Sequence, residues 1–138
     1  MQLRKVISKI IKESYDDLEI AIRNKLLSFG GDNIKFGLDS DEEQIRLLND
    51  GKLFNGQIVF SKGFPNQCHR NVADRYRKTV EKGFKIITGY ALSDGIWVQH
   101  SWGFYKGTIV ETTPISFDSY YGYELTEEES EDFCFSNY

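Results

Sequence analysis

Cysteine and histidine each occur only twice in this chain of 138 residues, as Cys68, Cys134, His69 and His100. Two cysteines with no export pattern argue for free thiols in a reducing, cytoplasmic compartment. Structural zinc sites use two short-spaced ligand pairs, and these four residues do not form them, so neither a metal nor a cofactor is expected. No apolar run approaches the ~20 residues of a membrane-spanning helix, which argues against a membrane role. The opening "MQLRKVISKIIKES" is basic and apolar. Lys9 and Lys12 interrupt it and no small-residue cleavage site follows, so it reads as a packed terminal helix rather than a signal peptide. Basic clusters are missing too: the net charge is −4, and the end of the chain carries the acidic run "TEEESED" over 126–132. A nucleic-acid binder needs a basic face to displace counterions, so nucleic acid is not an expected partner. The acidic run reads as a solvated terminal helix turn.

What is present fits one domain with a single core. Leu3, Val6, Ile7, Ile10 and Ile11 recur at helical spacing, and Leu18, Ile22, Leu26 and Leu27 continue the pattern. Ser14 followed by Asp17 leaves one helix or two open, and Gly30-Gly31 ends the run. Ser40 and Glu43 signal a capped short helix over "EEQIRLLND", closed near Gly51. "GQIVF", residues 56–60, predicts a brief strand. After Pro65, residues Cys68, Val72, Tyr76 and Val80 fall four apart on one helix face, ending by Gly83. "FKIITGYAL" and "IWVQHSW" then flank the turn signal "SDG", and "GTIVETT" follows a second turn at Lys106-Gly107. The expected fold is α+β: N-terminal helices over 1–55, then a Cys-bearing helix packed on an antiparallel β-meander within 56–123, and an acidic tail over 124–138. The aromatic stretch "FDSYYGY" is expected on the surface or along a cleft edge.

The chemistry gathers around Cys68. A thiol attacks as the thiolate, and a helix N-terminus offers the unpaired N–H groups and partial positive charge that favour it. His100 shares a strand face with Ile96, Val98 and Trp102, expected to meet the Cys68 helix, and would serve as the base. If Lys106-Gly107 form a two-residue turn, Glu111 lies opposite Trp102 and diagonal to His100, within reach to orient the imidazole. A register slip of one residue would turn Glu111 away. His69, next to Cys68 on the helix, points about 100° aside and reads as a cleft-edge or surface residue. Asn66 suits a helix cap.

The pattern "NQCHRNVADRY … ITGYAL … VQHSWG … VETTP … YYGY" resembles papain-like thiol enzymes. Compact bacterial cell-wall peptidases and a group of small bacterial and phage proteins are the nearest comparison. The resemblance covers residues 64–123. It implies a papain-like core with Cys68 as nucleophile, His100 as base and Glu111 as orienting residue. Many such enzymes place an oxyanion-binding glutamine several residues before the cysteine, and this chain departs from that pattern. Asn66, Gln67 and the more distant Gln57 are left as possible amide donors beside the Cys68 N–H, with Trp102 and Tyr121 as expected substrate contacts. The expected function is a thiol hydrolase or acyl-transferase acting on a peptide, isopeptide or amide bond of a peptide or protein substrate. The alternative is a non-catalytic binding module, for example a phage-type inhibitor of a host protein, anchored by Trp97, Phe117, Tyr120, Tyr121 and Tyr123.

Overall fold

A computed structural model describes residues 17–37, 39–61, 68–79 and 83–137, with Cys68, Lys78 and Thr79 given by their backbone alone. The helix expected over residues 3–11, the Ser14 cap, Asn66, Gln67, Val80 and the Cys68 side chain lie outside what is described.

Residues 17–29 are helical (α1) and bury Ile22 and Leu26, two positions of the expected apolar stripe. Gly30 and Gly31, at φ 138° and 80°, end it in backbone conformations that other residues rarely adopt. Three further helices follow: α2 (Asp41–Asp50), α3 (Cys68–Thr79) and α4 (Glu127–Ser136). They pack against a curled seven-stranded sheet of β1 (Asn33–Lys35), β2 (Lys52–Phe54), β3 (Ile58–Phe60), β4 (Lys85–Ser93), β5 (Ile96–Tyr105), β6 (Thr108–Glu111) and β7 (Ser119–Glu124). The order is β2-β7-β4-β5-β6-β3, with β1 also paired to β5. Among the described strand pairs only β1–β5 and β3–β6 run parallel. The protein is therefore a mixed α+β fold on a mostly antiparallel sheet. Among the described residues no helix is long and apolar enough to cross a membrane.

The meander β4-β5-β6 falls where the turn signals put it. Asp94-Gly95 have φ of 50° and 78°, and Lys106-Gly107 have 48° and 77°. Two successive positive φ values make a type I′ turn, whose twist matches that of the strands it joins. The second turn sets Tyr105 against Thr108, Phe104 against Ile109 and Gly103 against Val110.

Strand alternation divides the sheet into two covered faces. On the helical face Ile86, Tyr90, Leu92, Trp97, Tyr121 and Tyr123 pack with Ile22, Leu47, Val72, Ala73, Tyr76 and Cys134 from the four helices. On the other, the aromatic face, Ile87, Ala91, Trp102, Ile109 and Tyr120 pack with Phe54 and Phe117. Removing a fully buried aromatic ring from such layers typically costs about 3–5 kcal/mol.

Three expectations need correction. The stretch 117–123 is not a surface run: β7 sits between β2 and β4, and Phe117, Tyr120, Tyr121 and Tyr123 are buried. The N-terminal part is not purely helical, since β1 and β2 join the sheet. The acidic end is a full helix, α4, with a Thr126–Glu129 capping box and with Ser130 and Cys134 buried. Such a cap contributes about 1 kcal/mol, and it anchors α4 against α3, where the Cys134 Sγ lies 3.6 Å from the Ala73 carbonyl.

Candidate active site

Glu111 has no solvent exposure, so fixed donors must replace the water around its carboxylate. Three groups do so. His100 Nε2 lies 2.8 Å from Oε1 and 2.9 Å from Oε2. The Tyr120 hydroxyl donates to Oε1 at 2.9 Å, and the Thr113 N–H donates to Oε2 at 3.1 Å. A carboxylate accepts only, so His100 carries its proton on Nε2, which leaves Nδ1 as the basic nitrogen. Burial and the adjacent Glu111 charge push the Tyr120 hydroxyl well above the usual phenol range, so it stays protonated and keeps donating.

The type I′ turn at Lys106-Gly107 brings the pair together. Continuing its register sets Glu111 against Trp102, one step diagonal from His100 on the same face. Room for the ring comes from the row beside it, where His100 faces Gly89 and Gly89 faces Gly122. A Cβ on Gly122 would sit 2.5 Å from the Thr88 carbonyl oxygen and 2.9 Å from the Trp102 ring. Phe117 and Trp102 wall the imidazole at centroid distances of 4.6 and 6.0 Å, the Trp102 ring near parallel at 22°.

The expectation that His100 meets the Cys68 helix face-on is corrected. Val72, Ala73 and Tyr76 of α3 pack on the helical face, whereas His100 projects from the aromatic face. The period-2 alternation gives His100 its companions but does not say on which face the connection lays α3. The start of α3 instead lies over the helical side of β5, a strand whose edge is shared by two short partners. There β1 pairs with Ile96–Val98 and β6 with Gly103–Tyr105, and between them the edge has no strand partner among the described residues. His69 on the first turn of α3 reaches this stretch, its Nδ1 2.9 Å from the Ser101 Oγ. The chain leading toward α3 departs beside Glu111, where the Ser61 N–H donates to the Glu111 carbonyl at 2.7 Å.

His69 is a cleft-edge residue with fixed contacts. Ser101 Oγ donates onward to Thr88 Oγ1 at 3.0 Å, and Phe133 stands edge-on to the imidazole at 5.7 Å. Burial, reinforced by nearby His100 and partly opposed by Asp39, holds His69 below the ordinary imidazole value. Asn71 is buried. Cys134 is buried beneath α3, away from His100, and burial raises its thiol pKa.

Trp102 and Tyr121 do not line a cleft. Trp102 is sealed in the aromatic face, and the buried Tyr121 hydroxyl donates to the Leu47 carbonyl at 2.9 Å on the helical face. Trp97, Phe117, Tyr120, Tyr121 and Tyr123 are all buried, which removes the proposed anchors of a binding module. Gln57 is exposed, and its carbonyl accepts from the Ile109 N–H at 2.9 Å, at the end of β3 opposite the Phe60–Glu111 pairing.

No family model, curated protein or solved structure matches the chain. Residues that bear on function are therefore read from geometry alone. Tyr120 and Asp39 carry hydrogen-bond hubs that the sequence does not signal. Tyr120 reaches Glu111 only because β7 returns to pair with β4. Asp39 gathers the Tyr90 hydroxyl at 2.7 Å and the Gln99 amide from two different strands.

Proposed function

We propose that the protein is a thiol hydrolase or acyl-transferase acting on a peptide, isopeptide or amide bond, with Cys68 as nucleophile, His100 as base and Glu111 as the residue that orients it. The observation that carries this reading is the buried His100–Glu111 pair, its carboxylate held by two more donors and its imidazole held in one tautomer. A buried acid that fixes an imidazole is the arrangement nucleophilic catalysis requires of a base and its orienting group. The position of α3 supports the third member. Cys68 opens the helix whose next residue touches Ser101, the neighbour of His100 on β5. The order of cysteine helix, histidine strand and acidic strand is that of a papain-like core.

In this mechanism His100 Nδ1 takes the Cys68 proton and the thiolate attacks the carbonyl carbon. Nδ1–H then protonates the leaving amine as the C–N bond breaks, leaving a thioester on Cys68. Water, or an amine in the transferase case, attacks the thioester and releases the thiol. Glu111 keeps Nε2 protonated throughout and stabilises the imidazolium. The open N–H groups at the start of α3, with Gln67 or Asn66, would bind the oxyanion.

Alkylation by iodoacetamide across pH tests the reading, with Cys134 as an internal reference whose buried thiol has a raised pKa. Cys68 is expected to react well below the free-cysteine pKa of ~8.5. His100→Ala should move that rise upward, while His69→Gln should leave it nearly in place. A Cys68 no more reactive than Cys134 would defeat the thiol mechanism.

A further inference from the structure

A cavity of about 400 Å³ opens on the helical face between α4 and the sheet, with His69 in its wall. That volume lies within the range of small-molecule sites, roughly 300–1,000 Å³. His69 pairs its Nδ1 with the Ser101 hydroxyl, which pairs onward with Thr88, so Nε2 is the ring nitrogen left for a ligand. The Gln99 amide donates to Asp39, and the Asn137 amide donates to the Phe133 carbonyl at 2.8 Å. The Tyr123 and Ser136 hydroxyls line it as well. Glu43, which accepts from the Ser40 hydroxyl at 3.2 Å, and Asp132 stand at the rim, while Glu129 is engaged by Arg46. Leu125 and Phe133 provide the apolar part of the wall. Among the described lining residues there is no lysine or arginine.

We propose that this cavity binds a primary ammonium group on an aliphatic stem, of the lysine side-chain type, with the three ammonium protons shared among His69 Nε2 and the rim carboxylates. An ammonium offers three donors, no acceptor and a positive charge, the complement of a lining that holds Glu43, Glu129 and Asp132 and no lysine or arginine. The stem packs on Leu125 and Phe133, as long cationic side chains do on apolar surface. His69 follows Cys68 at the start of α3. Calling the bound group part of the substrate rests on the thiol mechanism above, and makes a lysine-bearing peptide the substrate class.

Two probes separate the possibilities: N-acetyl-lysine methylamide and its uncharged counterpart N-acetyl-norleucine methylamide. Binding is followed by isothermal titration calorimetry in Cys68→Ser protein, where thiol chemistry plays no part. The lysine probe is expected to bind roughly tenfold more tightly than the norleucine probe, a difference that shrinks in high salt. Asp132→Asn and Glu43→Gln should each remove part of that preference, and His69→Phe most of it. Equal affinity for both probes, or no saturation by either, overturns the proposal. In wild-type protein the lysine probe should also slow alkylation of Cys68. Selective binding without that protection overturns the assignment of the cavity to the substrate. Selective binding to a protein whose Cys68 proves unreactive upholds the ammonium site while removing the thiol mechanism.

Discussion

The two faces of the sheet handle polar groups in opposite ways. On the aromatic face, His100 and Glu111 are shut in by Trp102, Phe117 and Tyr120, and both Glu111 oxygens are met by protein donors. On the helical face, His69, Ser101 and Thr88 form an equally short chain of hydrogen bonds that ends at an open cavity. The first arrangement fixes a tautomer and an orientation. The second ends at a ring nitrogen beside space that a ligand can fill. A single strand, β5, supplies both, because His100 and Ser101 are consecutive and point to opposite sides.

The contrast can be broken most severely at Glu111. Glu111→Ala leaves the Tyr120 hydroxyl, the Thr113 N–H and the His100 ring without their buried acceptor. It is expected to destabilise the fold by about 3–5 kcal/mol, read from the denaturant midpoint. Glu111→Gln should cost less, because the amide oxygen still accepts, while the thiol rise at Cys68 moves to higher pH.

A smaller effect is expected at Tyr120. Tyr120→Phe keeps the ring packed against Trp102 and removes one donor to a charged group, worth about 1.5–3 kcal/mol. The same change at Tyr121 deletes a hydrogen bond to a neutral carbonyl and should cost less, about 0.5–1.5 kcal/mol. Thermal unfolding of the two variants side by side measures the difference. Equal losses would mean that the Glu111 charge adds nothing to its hydrogen bond.

The smallest effect belongs to His69. Its folded pKa lies below the ordinary value of 6.5, so the unfolded chain takes up the proton more readily than the native protein. The stability this group contributes is fully present above that value and is lost as pH falls through it toward the folded pKa. Denaturant midpoints between about pH 7.5 and 5 should therefore fall more gently in His69→Gln than in wild type. Identical slopes would show that burial leaves the imidazole free to protonate.

What could be read from the sequence follows from which constraints are local. The I′ turns announce themselves through Gly95 and Gly107, and once they are placed, the meander and the meeting of Glu111 with His100 follow by counting. The Ser40 cap of α2 is equally local: its hydroxyl accepts the Glu43 N–H at 3.2 Å. β7 was obscured because a strand covered on both faces shows an unbroken aromatic run instead of alternation. β1 and β2 are three residues each, too short to carry a period. The acidic end hid α4, since its glutamates sit in the first turn, where they favour a helix N-terminus. The side of the sheet taken by α3 depends on the whole chain path, and no residue near Cys68 encodes it.

The separation of the paired groups along the chain has a consequence for how the molecule assembles. His100 and Glu111 lie 11 residues apart across a two-residue turn, whereas Tyr121 and its Leu47 acceptor are separated by 74. Closing the short loop forfeits far less chain entropy than closing the long one. The histidine and its acid can therefore meet inside a hairpin before the distant strands and helices have docked. The histidine and its acid are in this sense a local invention, which the distant strands and helices then enclose.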